Sequence, residues 1–186
     1  ELRVASDDGG TWDHLVGFYY FDESLRVDSF GFNSLAPGNP PNGDFSFQVQ
    51  DATSWALFAS LDFRPTDRWT LKGGLRYTTN EKDFAADRPS GPTPTIRPIV
   101  ETTDANQVTW DLSAVYEVTD SANVYGRLTT GFRAPSIQVR IGFCPSDTAG
   151  GTDPETDCVS VADAEKITSF EIGLKTDVSS KLRLNA

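Results

Sequence analysis

Apolar and polar residues alternate one by one along much of the chain. The clearest windows are 54–63, 69–78, 108–118 and 169–175. A period of two residues is typical of a strand with one apolar face, and no helical spacing fits these windows. About eight strands are predicted in this way, two of them clipped. Residues 14–21 are apolar on both faces, so the sequence leaves open which side of that strand faces inward.

Short and long connections alternate between the predicted strands. The short ones consist of turn-forming residues, as in 64–68 and 119–122. The long ones are rich in Pro, Gly, Asn and Asp and cover roughly 24–52, 84–105 and 134–163. A compact domain rarely holds a structureless loop of about 20 residues. Three such loops on one side of a meander favour a transmembrane antiparallel β-barrel, with short periplasmic turns and long extracellular loops.

Composition and charge remove several other classes of protein. A hydrophobic fraction of 38% excludes intrinsic disorder, and a net charge of −11 argues against nucleic-acid binding. The longest apolar run, 55–59, is far shorter than the ~20 residues of a membrane-spanning helix. His14 is the one histidine, and it has no partners for a catalytic triad or a His-based zinc site. We therefore expect no catalytic residue, no cofactor and no metal.

Aromatic residues recur at the distance expected for the two rims of a membrane band. Trp69 and Tyr77 are eight residues apart. At ~3.3 Å per residue and a tilt of ~40°, this separation spans about 20 Å of an apolar band ~25 Å tall. The residues expected in a lipid-facing girdle are Trp55, Trp69, Tyr77, Trp110 and Tyr116.

Several stretches, in order, resemble the barrel domain of TonB-dependent outer-membrane receptors. They are ELRVAS (1–6), HLVGFYYFDE (14–23), SWALFASLDFRPTDRWTLKGGLRYT (54–78), NVYGRLTTGFRAPS (123–136) and SFEIGLKTD (169–177). The GFRAPS element is the most specific, because such receptors often carry Gly-Phe-Arg/Lys-Ala-Pro where a strand leaves the membrane.

The resemblance implies a 22-stranded barrel closed around a plug, in the outer membrane of a Gram-negative bacterium. Residues 1–186 would form about a third of its wall. The plug of the same full-length protein, and the N-terminal region that contacts TonB, would lie outside this chain. The implied activity is import of a scarce ligand such as an iron–siderophore complex, not an enzymatic reaction.

Charged residues that alternate with the apolar ones are expected to face the lumen. A basic residue facing lipid near the midplane would cost ~2–4 kcal/mol. Pairing of opposite charges across strands is the simpler interpretation of most of them. The candidates for contact with a ligand or the plug are Arg76, Arg127 and Arg133.

Cys144 and Cys158 lie in the third long loop. In an oxidising compartment they are expected to form a disulfide, although two free thiols or pairing elsewhere remain open. The acidic residues between them form a solvated loop more readily than a cation site, because they lack EF-hand spacing. They are Asp147, Asp153, Glu155 and Asp157.

Two alternatives make different predictions. A complete eight-stranded barrel with a structural or adhesive role requires the first and last strands to pair. A soluble, secreted all-β binding module requires its apolar strand positions to be packed inside. The residues that test this second alternative are Trp55, Leu57, Trp69, Leu71, Trp110 and Leu112.

Overall fold

A computed structural model shows a chain built almost entirely of antiparallel strands. It describes residues 1–6, 9–33, 35–90, 99–139, 159–179 and 182–186. No helix in these ranges is long and apolar enough to cross a membrane. The strands are β1 (Leu2–Ala5), β2 (Trp12–Phe32), β3 (Pro41–Thr66), β4 (Trp69–Ser90), β5 (Ile99–Thr119), β6 (Ala122–Arg133), β7 (Ser136–Val139), β8 (Val159–Ala162), β9 (Glu165–Ser179) and β10 (Leu182–Asn185).

Eight of these strands form one meandering sheet in the order β1-β2-β3-β4-β5-β6-β9-β10. Strands β7 and β8 form a separate two-stranded hairpin between β6 and β9. The predicted antiparallel meander of about eight strands is therefore confirmed. Within the described residues β1 pairs with β2 and β10 with β9, and the sheet does not close on itself. The pairing required of a complete eight-stranded barrel is absent there.

The short turns and the longer connections lie at opposite ends of the sheet, as predicted, although the connections of β2 to β3 and of β4 to β5 are shorter than predicted. Asp67 and Arg68 join β3 to β4, and Asp120 and Ser121 join β5 to β6. The connections of β2 to β3, β4 to β5 and β6 to β9 all lie at the opposite end. We call these the short-turn end and the long-connection end.

The expectation that 24–52 and 84–105 are loops is largely wrong. Residues 24–32, 41–52, 84–90 and 99–105 continue the strands, and β3 alone has 26 residues. A membrane crossing takes only ~9–11 residues, so β2 to β5 extend well beyond that length. Several of these outer ends are rich in residues typical of turns, such as Pro, Gly, Asn and Asp, so their composition indicates loops although the backbone pairing continues.

Cross-strand register assigns each residue to one of two faces, because directly opposite residues share a face. Leu57 lies opposite Phe18 and Tyr77, and this side is the apolar face. Phe58 lies opposite Gly17 and Arg76, and this side is the polar face. The face left open for residues 14–21 is thereby settled. His14, Val16, Phe18 and Tyr20 belong to the apolar face.

Within the described residues, no second layer covers the apolar face. The exposed fractions are 52% for Leu57, 55% for Leu112 and 41% for Trp69. The other three test residues, Trp55, Leu71 and Trp110, are half-buried. None of the six is packed in a core, which contradicts the soluble-module alternative. The buried hydrophobic residues instead lie on the polar face toward the long-connection end, and they are Ala52, Ala56, Phe84, Ala86 and Ile99.

Candidate functional site

The polar face is the candidate site, since alternation places charged side chains on it from every long strand. Asp62 lies directly opposite Lys72, and their Oδ2 and Nζ atoms are 2.5 Å apart. Asp111 and Arg127 are diagonal neighbours on β5 and β6, and their Oδ2 and Nη2 atoms are 2.6 Å apart. These ion pairs neutralise much of the wall's own charge, as cross-strand pairing predicts.

Arg76 differs from Lys72 and Arg127, the cations of this face that form the ion pairs just described. Its guanidinium carbon lies 5.4 Å from the ring centroid of Tyr19 and 5.6 Å from that of Phe58. Its Nε donates to Thr78 Oγ1 at 3.0 Å. Among the described residues, no carboxylate lies within salt-bridge distance of it. Cation–π contacts hold this guanidinium in place without neutralising it, so it can still bind an anion.

The other two candidate arginines have acidic partners. Arg127 is paired with Asp111, as described above, and Arg133 Nη1 lies 3.4 Å from Glu165 Oε2. Both side chains of the Arg133 pair are exposed, at 71% and 68%. An exposed ion pair of this kind contributes little to stability. A role in ligand or plug contact stays a prediction for all three arginines.

The five aromatic residues of the expected girdle all lie on the apolar face. Trp69 contacts Tyr116 near the short-turn end, with ring centroids 4.7 Å apart. Trp55 contacts Tyr77 toward the other end, at 5.6 Å. Trp110 lies opposite Leu75, between these two levels rather than at either of them.

A second cluster on the polar face was not singled out from the sequence. Lys82 lies directly opposite Thr103, beyond Tyr77 toward the long-connection end. Its Nζ donates to the backbone carbonyl of Pro135 at 2.6 Å. The signal available in the sequence is slight, because Lys82 is the one cation between Arg76 and Arg88. Its partner is 53 residues away along the chain.

Arg88 and Asp44 form an ion pair close to the long connections. The pair is bidentate, and the Arg88 side chain is only 9% exposed. The hydrogen bond from Arg88 lowers the pKa of the Asp44 carboxyl. The same bond raises the pKa of Arg88. The pair joins the outer ends of β3 and β4.

The predicted disulfide and the acidic loop lie outside the described residues. This applies to Cys144, Cys158 and the acidic residues Asp147, Asp153, Glu155 and Asp157. In the part of the chain that is described, no three His, Cys, Asp or Glu side chains are grouped so as to hold a metal ion. The Cys144–Cys158 bond therefore stays a prediction.

Known proteins with similar sequences and structures are transport receptors. The family described as "TonB dependent receptor-like, beta-barrel" matches residues 2–186. The rhizobactin receptor of Rhizobium meliloti (strain 1021) is 28% identical over 166 residues, which is 78% of this chain and 22% of the relative. The chain thus spans about a fifth of the length of that relative.

Two solved structures share the fold. The ferric yersiniabactin uptake receptor FyuA from Yersinia pestis superposes on 98% of this chain with a TM-score of 0.73 and 22% identity, over 26% of its own length. The ferric-catecholate import receptor Fiu from E. coli K12, in its closed form, covers 96% of this chain with a TM-score of 0.59, 19% identity and 28% of its own length. Together with the family match over nearly every residue, the two-faced meander shows that this chain belongs to the TonB-dependent receptors and forms part of their β-barrel.

Proposed function

We propose that this chain is a section of the wall of an outer-membrane receptor that imports an iron–siderophore complex in a Gram-negative bacterium. The observation that carries the proposal is the difference between the two faces of one sheet. The apolar face exposes Leu57 and Leu112, whereas the polar face presents ion pairs and Arg76. Such a wall separates hydrocarbon from a hydrated lumen. The relatives named for rhizobactin, yersiniabactin and catecholate support a ferric siderophore as the cargo.

Each part of the wall has a role in this proposal. The girdle aromatics contact outer-membrane lipid, with Trp69 and Tyr116 at one rim of the apolar band, Trp55 and Tyr77 at the other and Trp110 between them. Arg76 binds an acidic group of the plug, which belongs to the same full-length protein. The extended ends of β2 to β5 and their connections contact the arriving ligand. TonB acts through the N-terminal region of the full-length protein, and no covalent bond of the ligand is made or broken.

The direct test is uptake by cells. The full-length receptor is produced in a strain that lacks its own siderophore receptors, and radiolabelled iron is supplied as ferric rhizobactin, ferric yersiniabactin or a ferric catecholate. We expect accumulation of one of these complexes, and we expect it to stop when TonB is deleted. The same cells with an empty vector are the control. Lack of uptake of all three complexes would reject siderophore import.

A further inference from the structure

The cluster around Lys82 contains polar atoms that the chain itself does not satisfy. Thr103 is only 8% exposed, and its Oγ1 has no hydrogen-bond partner in the described structure. Asn80 lies on the same face two residues before Lys82, and its buried Oδ1 also lacks a partner there. Burying a polar atom without a partner is destabilising, so this arrangement indicates a group that is still to be bound.

Lys82 is a cation whose charge is not matched by any described carboxylate. Its hydrogen bond is made to a neutral acceptor, the carbonyl oxygen of Pro135, at 2.6 Å. Pro135 itself is buried. Since Lys82 lies on the polar face of β4 directly opposite Thr103 of β5, this bond holds the Pro135 carbonyl at the polar face of the sheet.

Pro135 belongs to a segment that has left the main sheet. Pairing of β5 with β6 reaches Asp111 and Thr129 at the long-connection side and does not continue beyond them. There the Thr130 hydroxyl replaces the next backbone partner, because it accepts a hydrogen bond from Trp110 N at 2.8 Å. Farther out, β6 pairs with β9 alone until Arg133. We call residues 134–139 the strap; the bond from Lys82 ties it to β4.

We propose that Lys82, Thr103 and Asn80 form an anion-binding site, and that the strap covers this site until an anion displaces the Pro135 carbonyl from Lys82. The bond from the Lys82 ammonium to the Pro135 carbonyl is charge-assisted through its donor alone, whereas a bond to an oxyanion adds the attraction of a full negative charge, so an oxyanion competes well against the carbonyl. The Thr103 hydroxyl supplies a second donor. The Asn80 amide supplies a third after a half-turn of its side chain. Binding therefore gives the buried Thr103 hydroxyl an acceptor and frees the strap together.

The chemical class of the ligand follows from these donors. A compact oxyanion such as a carboxylate fits one ammonium, one hydroxyl and one amide. That this oxyanion is an exposed group of the imported iron complex rests on the proposed function. The anion site and the release of the strap do not depend on it.

Hydrogen–deuterium exchange of the strap tests the proposal in the detergent-solubilised full-length receptor. Citrate is the probe, and chloride at the same ionic strength is the reference. We expect citrate to speed exchange at residues 136–138 by about tenfold, since the loss of one charge-assisted bond is on that scale. In the Lys82→Met receptor the strap should exchange fast with or without citrate, because its bond to β4 is absent. Lys82→Arg should keep both the slow exchange and the response.

Two further variants separate binding from tethering. Thr103→Val should leave the strap slow without citrate but raise the citrate concentration at half response by about tenfold, because one hydrogen bond to the anion is lost. Lys166→Met is the control, since Lys166 lies opposite Phe132 on the apolar face of β9. The strap of the Lys166→Met receptor should exchange at the same rate as the strap of the unmodified receptor, with and without citrate.

An unchanged strap on addition of citrate, or equal responses of Lys82→Met and the unmodified receptor, would overturn the proposal. Each variant is first checked for the heat-dependent gel mobility of a folded barrel. A strap that responds to citrate in a receptor that imports no ferric siderophore would refute the proposed function and leave the anion site in place. Import of a ferric siderophore by a receptor whose strap does not respond to citrate would refute the anion site and leave the proposed function in place.

Discussion

The guanidinium of Arg88 donates two hydrogen bonds to the carboxylate of Asp44, and the Nε–Oδ1 and Nη2–Oδ2 distances are both 2.8 Å. Asp44 lies near the outer start of β3, and Arg88 lies near the outer end of β4. The Arg88 side chain is buried and the Asp44 side chain is 26% exposed. The pair therefore fixes the two strands to each other next to two of the long connections.

Removing the charge of Asp44 should loosen this end of the sheet. In Asp44→Asn the buried Arg88 guanidinium loses its bidentate carboxylate partner. We therefore expect local destabilisation of about 1–3 kcal/mol, which is less than for a fully buried ion pair. Hydrogen–deuterium exchange at 44–50 and 84–90 in the full-length receptor should rise. Asp28→Asn is the matched control, because its partner Arg26 is exposed and the pair contributes little. Equal effects of the two variants would contradict the role given to Arg88.

The same pair should respond to acid. The hydrogen bond from Arg88 lowers the pKa of Asp44 below its ordinary value of 3.8. A carboxyl whose pKa is lower in the folded state stabilises that state fully above about pH 4. This contribution is lost as the pH falls further, through the lowered pKa. The protection of 44–50 against exchange, taken relative to the intrinsic exchange rate at each pH, should therefore fall below about pH 4, and Asp44→Asn should remove this acid-dependent step.

Gly17 and Phe58 form a second close relationship, on the polar face. A Cβ atom added at Gly17 would lie 2.2 Å from Phe58 Cζ, so the aromatic ring rests directly on the glycine backbone. Gly17→Ala should displace the ring and weaken its contact with Arg76, at a cost of about 1–3 kcal/mol in the free energy of unfolding.

Urea titration of the full-length receptor in detergent measures this effect. Gly74→Ala is the control on the same face, because its added Cβ would meet nothing closer than 3.8 Å. Replacing the Phe58 ring by the smaller leucine side chain, in the double variant Gly17→Ala/Phe58→Leu, should recover part of the lost free energy of unfolding. If Gly17→Ala and Gly74→Ala had the same midpoint, close packing at Gly17 would be refuted.

The sequence predicts those features that depend on local alternation. Leu57 and Tyr77 could be assigned to one apolar face because each lies in a window with a clear two-residue period. The strand over 41–52 carries the same alternation in 44–50, with Phe45, Phe47 and Val49 on one face. Its Pro, Gly, Asn and Asp residues nevertheless indicate a loop when the sequence is read alone, and pairing with β2 and β4 shows that it is a strand.

Pairwise contacts in the candidate site depend on register, which alternation does not determine. Arg76 and Arg127 are equivalent by pattern, yet one contacts two aromatic rings and the other an aspartate. The Lys82–Pro135 contact additionally requires β6 to leave β5 beyond Thr129. The GFRAPS element shortly after Thr129 indicates that a strand ends there, but it does not indicate that Pro135 meets Lys82.

The unneutralised charge of Arg76 leads to a prediction about the plug. If Arg76 binds an acidic group of the plug, Arg76→Gln should remove a charge-assisted hydrogen bond of about 1.5–3 kcal/mol. The plug of the full-length receptor should then unfold or leave the lumen at a urea concentration lower by about 1 M, given typical urea slopes of ~1–3 kcal/mol per M.

Planar-bilayer conductance measures this opening directly, because the lumen conducts once the plug is displaced. Arg26→Gln is the control, since Arg26 also lies over an aromatic ring, that of Phe47, but on the apolar-face side of β2. It should open at the same urea concentration as the unmodified receptor. An Arg76→Gln receptor that opens together with this control would show that Arg76 does not hold the plug, and its guanidinium would then be free to bind the passing ligand instead.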